Sequence, residues 1–336
     1  MSPRATISDV AEQAGVSIST VSRVLNNTVP VDAETAERVR TAVAALNYYP
    51  HSAARTLASH KTSTIGLLLP EIGDIYFQPL LRGIETEAQL TGYDLLIHTT
   101  RNPHSDKAAW RPLAEHNTDG LLAFTESLDD QELRRLYDTD FPVILLHQTP
   151  PEGINIPVIT IENQLGARNI VGHLIDLHQR RQIAFLKGPE GHEDSAWREK
   201  GYHEALNERG IPADPGLVRF GGFNRDTAHQ TVEQMLAEGL KFDAIFTGDD
   251  ESAVGVLLAL REAGRKVPDE VSIVGFDDEI FASTLIPPLT TVRAPTEEVG
   301  REAVRLLIRM IRGEKVEQRL VLPTELVIRQ SCGCTA

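Results

Sequence analysis

The sequence predicts a small all-helical N-terminal domain followed by a larger doubly wound α/β body in two halves. Three observations carry that reading. Between Thr6 and Leu46 apolar residues recur every three or four positions, the period of a buried helix face. From Ser63 onward short apolar runs alternate with helical stretches, as expected of strands covered on both faces of a parallel sheet. The alternation runs twice, its second series beginning at Glu162, and two such halves enclose a cleft at the carboxyl ends of their strands.

The head comes first. Ile7, Val10, Ala11 and Ala14 form one apolar stripe. Gly15 ends that helix, since a left-handed backbone is cheap there only for glycine. Ser17 caps a second helix by accepting backbone N–H groups of its first turn, and Val21, Val24 and Leu25 turn inward. Ile18, Ser19, Ser22 and Arg23 are left on the outer face. A short helix with small hydroxyls and one arginine outward suits a major groove, where arginine pairs with guanine and hydroxyls reach phosphates or base edges. Asp32 caps a third helix whose stripe is Ala36, Val39, Val43 and Leu46; Tyr48 and Tyr49 close the core and Pro50 breaks the chain. The candidate DNA contacts of the head are Thr6, Ser17, Ile18, Ser19, Thr20, Ser22, Arg23 and Asn26.

The run Thr6-Ile7-x-Asp9-Val10-Ala11-x-x-Ala14-Gly15-Val16-Ser17, followed by Thr20-Val21-Ser22-Arg23-Val24-Leu25-Asn26, closely resembles the headpiece of the lactose-repressor/galactose-repressor (LacI/GalR) family of bacterial transcription factors. The next stretch, His51 to Ser59, is short, alanine-rich and helix-prone, and a helix of that length is marginal alone. It fits the family pattern Tyr48-x-Pro50-x-x-x-Ala54-x-x-Leu57. The resemblance implies that two such hinge helices pair across a dimer axis and enter the minor groove, Leu57 wedging between base pairs with His51, Ala54 and Arg55 nearby. It also implies a two-subdomain, periplasmic-binding-protein-like core crossed three times by the chain. The expected divisions are a helix-turn-helix headpiece at 1–50, a hinge helix at 51–61, one core subdomain at 62–161 plus 294–321, a second at 162–293 plus 322–331, and a tail at 332–336. No heptad tail follows the last strand, so a dimer is expected rather than a tetramer of the lactose-repressor type.

In the body, strands are expected near 65–70, 93–99, 120–124, 143–147 and 158–161, with helices at 77–91, 106–116 and 130–137 between them. The second series has helices at 163–178, 195–209, 226–238 and 250–264, and strands at 183–187, 217–220, 244–247 and 272–276. A last helix, 297–312, precedes strands near 320–322 and 326–329.

Polar and aromatic residues gather where these strands end. Tyr76 and Phe77 follow the first strand, His147 and Phe223 end others, and Asp249, Asp250, Asp277 and Asp278 follow Thr247-Gly248 and Gly275-Phe276. Trp197 and Arg198 fall in the loop after Lys187-Gly188-Pro189. Flat apolar faces with carboxylates and a guanidinium suit a sugar. The resemblance implies that Arg198 and Asp277 contact the effector, that Phe223 stacks on it, and that Tyr76 and Phe77 match aromatics which sandwich a base in the purine-responsive branch. Asp249 stands where many sugar-responsive members have asparagine, and His147 where several have aspartate. His192 falls where the purine branch has a second arginine; that departure and the acids disfavour a purine, and a single pocket cation disfavours a sugar phosphate. The candidate effector residues are Tyr76, Phe77, His147, Trp197, Arg198, Phe223, Asp249 and Asp277, each with an ordinary alternative as a cap or core residue; Asp250, outside that set, can be read as a helix cap alone.

Composition bounds the classes. The net charge of −15 argues against nucleic acid, but position resolves part of this. Residues 1–61 hold six cations against five anions, leaving −16 on the other 275 residues. DNA reading with so few cations needs two heads and specific contacts. Nothing at the N-terminus resembles a signal peptide and no apolar run spans a bilayer, which argues against an exported transport receptor, and a cytoplasmic protein is expected. Adjacent aspartates can be read as glycosidase carboxylates, yet they are equally caps and hydroxyl acceptors, and no dinucleotide, phosphate-loop or zinc motif is found. Cys332 and Cys334, the only cysteines, are too sparse for a metal site and too close for an unstrained disulfide; they read as reduced thiols on a tail. The expectation is a non-enzymatic dimeric repressor of carbohydrate-utilisation genes without a cofactor, binding pseudo-palindromic operator DNA and released by a small neutral sugar. A nucleoside- or corepressor-responsive regulator is the alternative.

Overall fold

The computed structural model describes residues 5–26, 29–48, 62–100, 117–125 and 127–335, with Asn26 described as helical backbone only. The expected helix at 106–116 and the hinge residues His51, Ala54, Arg55 and Leu57 lie outside the described residues. The chain divides into two compact units, 1–62 and 63–336.

The first unit holds α1 (Ile7–Ala14), α2 (Ile18–Asn26) and α3 (Ala33–Ala45). Thr6 caps α1 in a reciprocal box. Its hydroxyl accepts from the Asp9 amide, and the Asp9 carboxylate accepts from the Thr6 amide at 2.7 Å. Gly15 takes the left-handed turn at φ 65°. Ser17 Oγ accepts from the Thr20 amide at 3.2 Å, and Asp32 from that of Thr35 at 2.8 Å. Val10, Ala11, Ala14, Val21, Val39, Ala42 and Tyr48 form the core. Ala42 is more deeply buried than the expected Val43, so the seam of α3 is rotated slightly from the predicted stripe.

The second unit contains two parallel sheets. Strands β1 (Thr64–Leu69), β2 (Asp94–Thr99), β3 (Gly120–Phe124), β4 (Val143–Leu146) and β5 (Val158–Ile161) join one sheet, with helices α4 (Phe77–Thr91) and α5 (Asp130–Asp138) between them. Then come α6 (Asn163–His178), β6 (Ile183–Lys187), α7 (Glu193–Glu208), β7 (Val218–Phe220), α8 (Arg225–Ala237), β8 (Ala244–Thr247), α9 (Asp250–Glu262) and β9 (Ser272–Val274). The chain ends with β10 (Thr291–Arg293), α10 (Thr296–Ile311), β11 (Arg319–Leu322) and β12 (Glu325–Val327).

The first sheet has the order β11-β5-β4-β3-β1-β2, the second β7-β6-β8-β9, and β10 pairs antiparallel with β12. The chain thus leaves the first sheet after β5 and returns through α10 to add β11 beside β5. Helices α4 and α10 meet backbone to backbone. A β-carbon at Gly83 would collide with the Glu297 carbonyl, and one at Gly300 with that of Leu80.

One strand was not expected and two expectations are corrected. Strand β10 carries only three residues and no alternation, and its pairing with β12 is long-range, so periodicity could not show it. Trp197 is not in a loop: α7 begins at Glu193, because the acidic Glu193 and Asp194 suit a helix N-terminus. The tail is not loose. Ser331 exchanges hydrogen bonds with Ile273, its carbonyl accepting at 2.9 Å and its hydroxyl donating at 2.7 Å. The Cys332 carbonyl accepts from Ser272 Oγ at 2.7 Å, and Cys332 is fully buried.

Candidate functional site

The carboxyl ends of both sheets line a cavity of about 440 Å³, within the range usual for small-molecule sites. Tyr76, Phe77, Phe124 and Thr125 line it on one side, with Asp74 and Thr100; His192, Asp194, Arg198, Phe223, Asn224, Asp249, Asp277 and Glu279 line the other. Tyr76, Phe77 and Phe124 pack edge to face, with centroids 5.0 to 6.1 Å apart.

Arg198 is the hub. It is 3% exposed and comes from the buried face of α7. Its Nε donates to Asn163 Oδ1 at 2.8 Å, one terminal nitrogen donates to the Gly248 carbonyl, and the other reaches Asp277 Oδ1 at 3.2 Å. The guanidinium carbon sits over Phe276, 3.8 Å from the ring centroid, and 5.6 Å from that of Phe223. Asn163 then donates to Asp194 at 2.7 Å, and the other Asp194 oxygen is 2.7 Å from His147 Nδ1. The chain Asp277–Arg198–Asn163–Asp194–His147 therefore runs from the second sheet to the end of β4 in the first. A second tie joins the halves: Glu193 accepts from the amide and hydroxyl of Thr149 at 2.5 and 2.6 Å.

Four non-glycine residues near the cleft have left-handed backbones: His147 at φ 58°, Phe223 at 53°, Asp277 at 105° and Asp278 at 58°. Each such residue costs on the order of 1–3 kcal/mol and persists where its surroundings over-determine it. Phe223 shows how: a β-carbon on Gly188 or Gly248 would run into its ring.

The electrostatics are dominated by buried acids. Burial raises Asp249 to about 7, helped by the nearby Asp277, against the hydrogen bonds from Ser252. Burial, then the charges of Asp277, Asp250 and Asp74, pushes Glu279 up to about 10. Asp277 is also raised, desolvation outweighing Arg198. Asp194 goes the other way: burial would raise it, but His147 and Arg198 hold it below the ordinary carboxylate value. Burial lowers His192 to about 4, so it is neutral at pH 7.

Of the sequence-predicted effector residues, the cavity brings together Tyr76, Phe77, Arg198, Phe223, Asp249 and Asp277. His147 is 1% exposed and stands behind Asp194. Trp197 lies outside the lining, its indole donating to Glu193 Oε1 at 3.2 Å beneath Lys200. Asn163, Asp194 and Glu279 were not anticipated. Asp194 had a signal, since it lies one turn before Arg198 on the same helix face. The adjacent aspartates do not form acid–base pairs. Asp250 accepts from Thr291 Oγ1 at 2.6 Å and the Glu279 amide at 2.8 Å, while Asp278 binds Arg293 and Arg329 at 2.8 and 2.7 Å. Asp249 caps α9 through the Ser252 amide at 3.1 Å.

In the head, Ile18 is 50% exposed and Ser19 and Arg23 are exposed beside it, with Ser22 half-buried. The Ser17 hydroxyl lies 2.8 Å from Ser19 Oγ and 2.9 Å from Thr20 Oγ1, while Thr6 is engaged in its cap. The outer face of α2 is thus a row of hydroxyls, one isoleucine and one arginine.

A helix-turn-helix head with such a face, together with a two-sheet body enclosing a polar cleft, defines a ligand-responsive DNA-binding regulator. Residues 6–51 match the lacI family of bacterial regulatory proteins, and residues 171–332 match a periplasmic binding protein-like domain. The chain is 33% identical to the HTH-type transcriptional regulator RegA of Clostridium saccharobutylicum, over 97% of this chain and 98% of that protein. A dimeric lac repressor bound to operator and the anti-inducer ONPF superposes with a TM-score of 0.88 at 31% identity, covering 98% of this chain and 99% of that one. A CelR–cellobiose complex does so with a TM-score of 0.75 at 32% identity, covering 98% and 100%. The chain belongs to the lacI family of bacterial regulatory proteins. It is a DNA-binding transcriptional regulator responsive to a small-molecule effector, and not an enzyme. Among the described residues no helix is long and apolar enough to cross a membrane.

Proposed function

We propose that this protein is a cytoplasmic repressor of carbohydrate-utilisation genes, that it binds a pseudo-palindromic operator as a dimer, and that a small neutral sugar in the cleft releases it. The observation that carries the sugar reading is the state of Arg198. Asn163, the Gly248 carbonyl and Asp277 occupy its nitrogens, and the neighbouring His192 is uncharged at neutral pH. A phosphate entering the cavity meets buried acids and, among the described lining residues, no uncompensated cation. A sugar meets acceptors for its hydroxyls in Asp74, Asp249 and Asp277, an amide in Asn224, and flat faces in Tyr76 and Phe223. The likeness to a CelR–cellobiose complex supports the same class of ligand.

The coupling follows from the ties across the cleft. Asp194 and Glu193 from the second half hold His147 and Thr149 from the first. A ligand that binds one arrangement of these halves better than another shifts their population, and the dimer's affinity for DNA follows. Leu57 of the hinge carries that change to the minor groove. On the outer face of α2, Arg23 reads a base. Arg23→Ala costs operator binding about 1–3 kcal/mol and relaxes preference at one base position. Titrations of systematically substituted operators check this; a loss uniform across sequences reassigns Arg23 to phosphate.

The deciding experiment titrates the full chain on its operator at fixed salt against neutral mono- and disaccharides, sugar phosphates and purines. Release by a neutral sugar is expected. Release or tightening only by a phosphate or a purine overturns the reading.

A further inference from the structure

The second half of the body carries a cluster that the cleft does not use. His173 and His178 lie in the last turns of α6, and Cys332 and Cys334 sit in and just after a turn beyond β12. More than 150 residues separate the two pairs in the chain, yet their ligand atoms all lie within 4.8 Å of one another. His173 Nε2 is 3.3 Å from His178 Nε2. It is 3.4 Å from Cys332 Sγ and 3.6 Å from Cys334 Sγ, and Cys334 Sγ is 3.4 Å from His178 Nε2.

We propose that these four side chains form a tetrahedral zinc site that staples the C-terminal tail to α6. The distances match such a centre. With Zn–S near 2.3 Å and Zn–N near 2.05 Å, tetrahedral edges are about 3.3–3.4 Å between nitrogens and about 3.5–3.6 Å between nitrogen and sulfur. Two thiolates and two imidazoles are the donor set that selects zinc among abundant divalent metals. On uptake the two thiols give up their protons to solvent, and the centre is left without net charge, which suits its half-buried position.

The surroundings are built for it. Thr290 Oγ1 donates to Cys332 Sγ at 3.1 Å, the kind of outer hydrogen bond that fixes a thiolate ligand. The Cys332 carbonyl and Ser331 are pinned to Ser272, Ile273 and Thr290, so the tail is held in register before any metal enters. Between the cysteines, Gly333 has φ 111°, and a β-carbon there would sit 3.0 Å from His178 Nδ1. Only glycine lets the chain bend back over the imidazole and aim both sulfurs at one point. Cys334, His173 and His178 are partly exposed, which gives an ion a path in. The expectation that two cysteines are too few counted only residues near them in sequence; the histidines arrive through the fold.

The test uses the full-length chain, freed of any affinity tag and reduced under anaerobic conditions. Elemental analysis should find one zinc per chain. Replacement by cobalt(II) should give the intense visible bands of tetrahedral coordination with a thiolate charge-transfer band in the near ultraviolet. Cys334→Ser and His178→Gln, both at the accessible side of the site, should lose the metal and those bands while keeping the circular dichroism of the parent. The proposal is overturned if the reduced parent takes up no cobalt, or if it binds cobalt only with the weak bands of an octahedral, thiolate-free site. Full retention of the cobalt spectrum in both variants overturns it as well.

Discussion

The two walls of the cleft are built on opposite principles. The wall from the first sheet is aromatic: Tyr76, Phe77 and Phe124 brace one another edge to face, and Phe77 and Phe124 are each 5% exposed. Its cohesion is packing and apolar burial, insensitive to pH and salt. The wall from the second sheet is ionic: Asp194, Asp249, Asp277 and Glu279 converge with Arg198 as the one arginine or lysine among the described lining residues. Buried acids that exceed their partners raise the energy of the empty site, and the raised values of Asp249, Asp277 and Glu279 express that. The difference bears on which wall would sense the proposed ligand. On that proposal the rigid aromatic face positions a ring, whereas the polar face changes its energy when hydroxyls enter.

The strongest way to break this contrast is Arg198→Ala. It takes the guanidinium from the buried Asp277 carboxyl and from Asn163 Oδ1, and the body should lose about 3–5 kcal/mol along with its response to effector. Denaturant unfolding and effector titrations on operator DNA read the two effects; a normal effector response removes Arg198 from the site.

Asp249→Asn sharpens the contrast through pH. The carboxyl is raised in the folded chain to about 7 from 3.8. Its contribution to stability is therefore fully present below about pH 4 and is lost as pH rises through 7. Asparagine keeps the cap on Ser252 without the titration. The variant should be more stable than the parent by about 2–4 kcal/mol near pH 8 and no more stable near pH 4, as thermal melts across that range will show. A constant difference at all pH values means that folding does not shift the Asp249 carboxyl.

The smallest expected effect falls on the aromatic wall. Tyr76→Phe keeps the ring of this half-buried residue and removes only its hydroxyl, so stability should change by no more than about 1 kcal/mol. Effector affinity should change a few-fold. Loss of effector response on the scale of Arg198→Ala places the sensing function on the wrong wall.

Much of this was legible in the residues themselves. The caps at Thr6, Ser17 and Asp32 and the turn at Gly15 are local chemistry, and so the head could be read element by element. The parallel strands of the body could be read for the same reason: burial on both faces leaves continuous apolar runs. Arg198 and Asp277 were found through resemblance to a family motif. Asp194, its helix mate, was passed over because the expected helix began at 195, one residue after it, whereas the helix begins at Glu193. Glu279 was missed because its raised value depends on burial first, and then on Asp277, Asp250 and Asp74 gathering around it. Nothing in the local sequence gives those distances.

By itself, the sequence determined what depends on neighbours within a turn or a strand: the helical head, the outward row on α2, the two α/β series and the acids at strand ends. The tertiary structure decided what depends on residues far apart. It turned Asp250 and Asp278 from candidate acids into fasteners for Thr291, Arg293 and Arg329. It linked His147 through Asp194 and Asn163 to Arg198. It also brought His173 and His178 to Cys332 and Cys334. Periodicity records which face a residue shows to the core, but only the closed fold fixes which side chain waits on the other side.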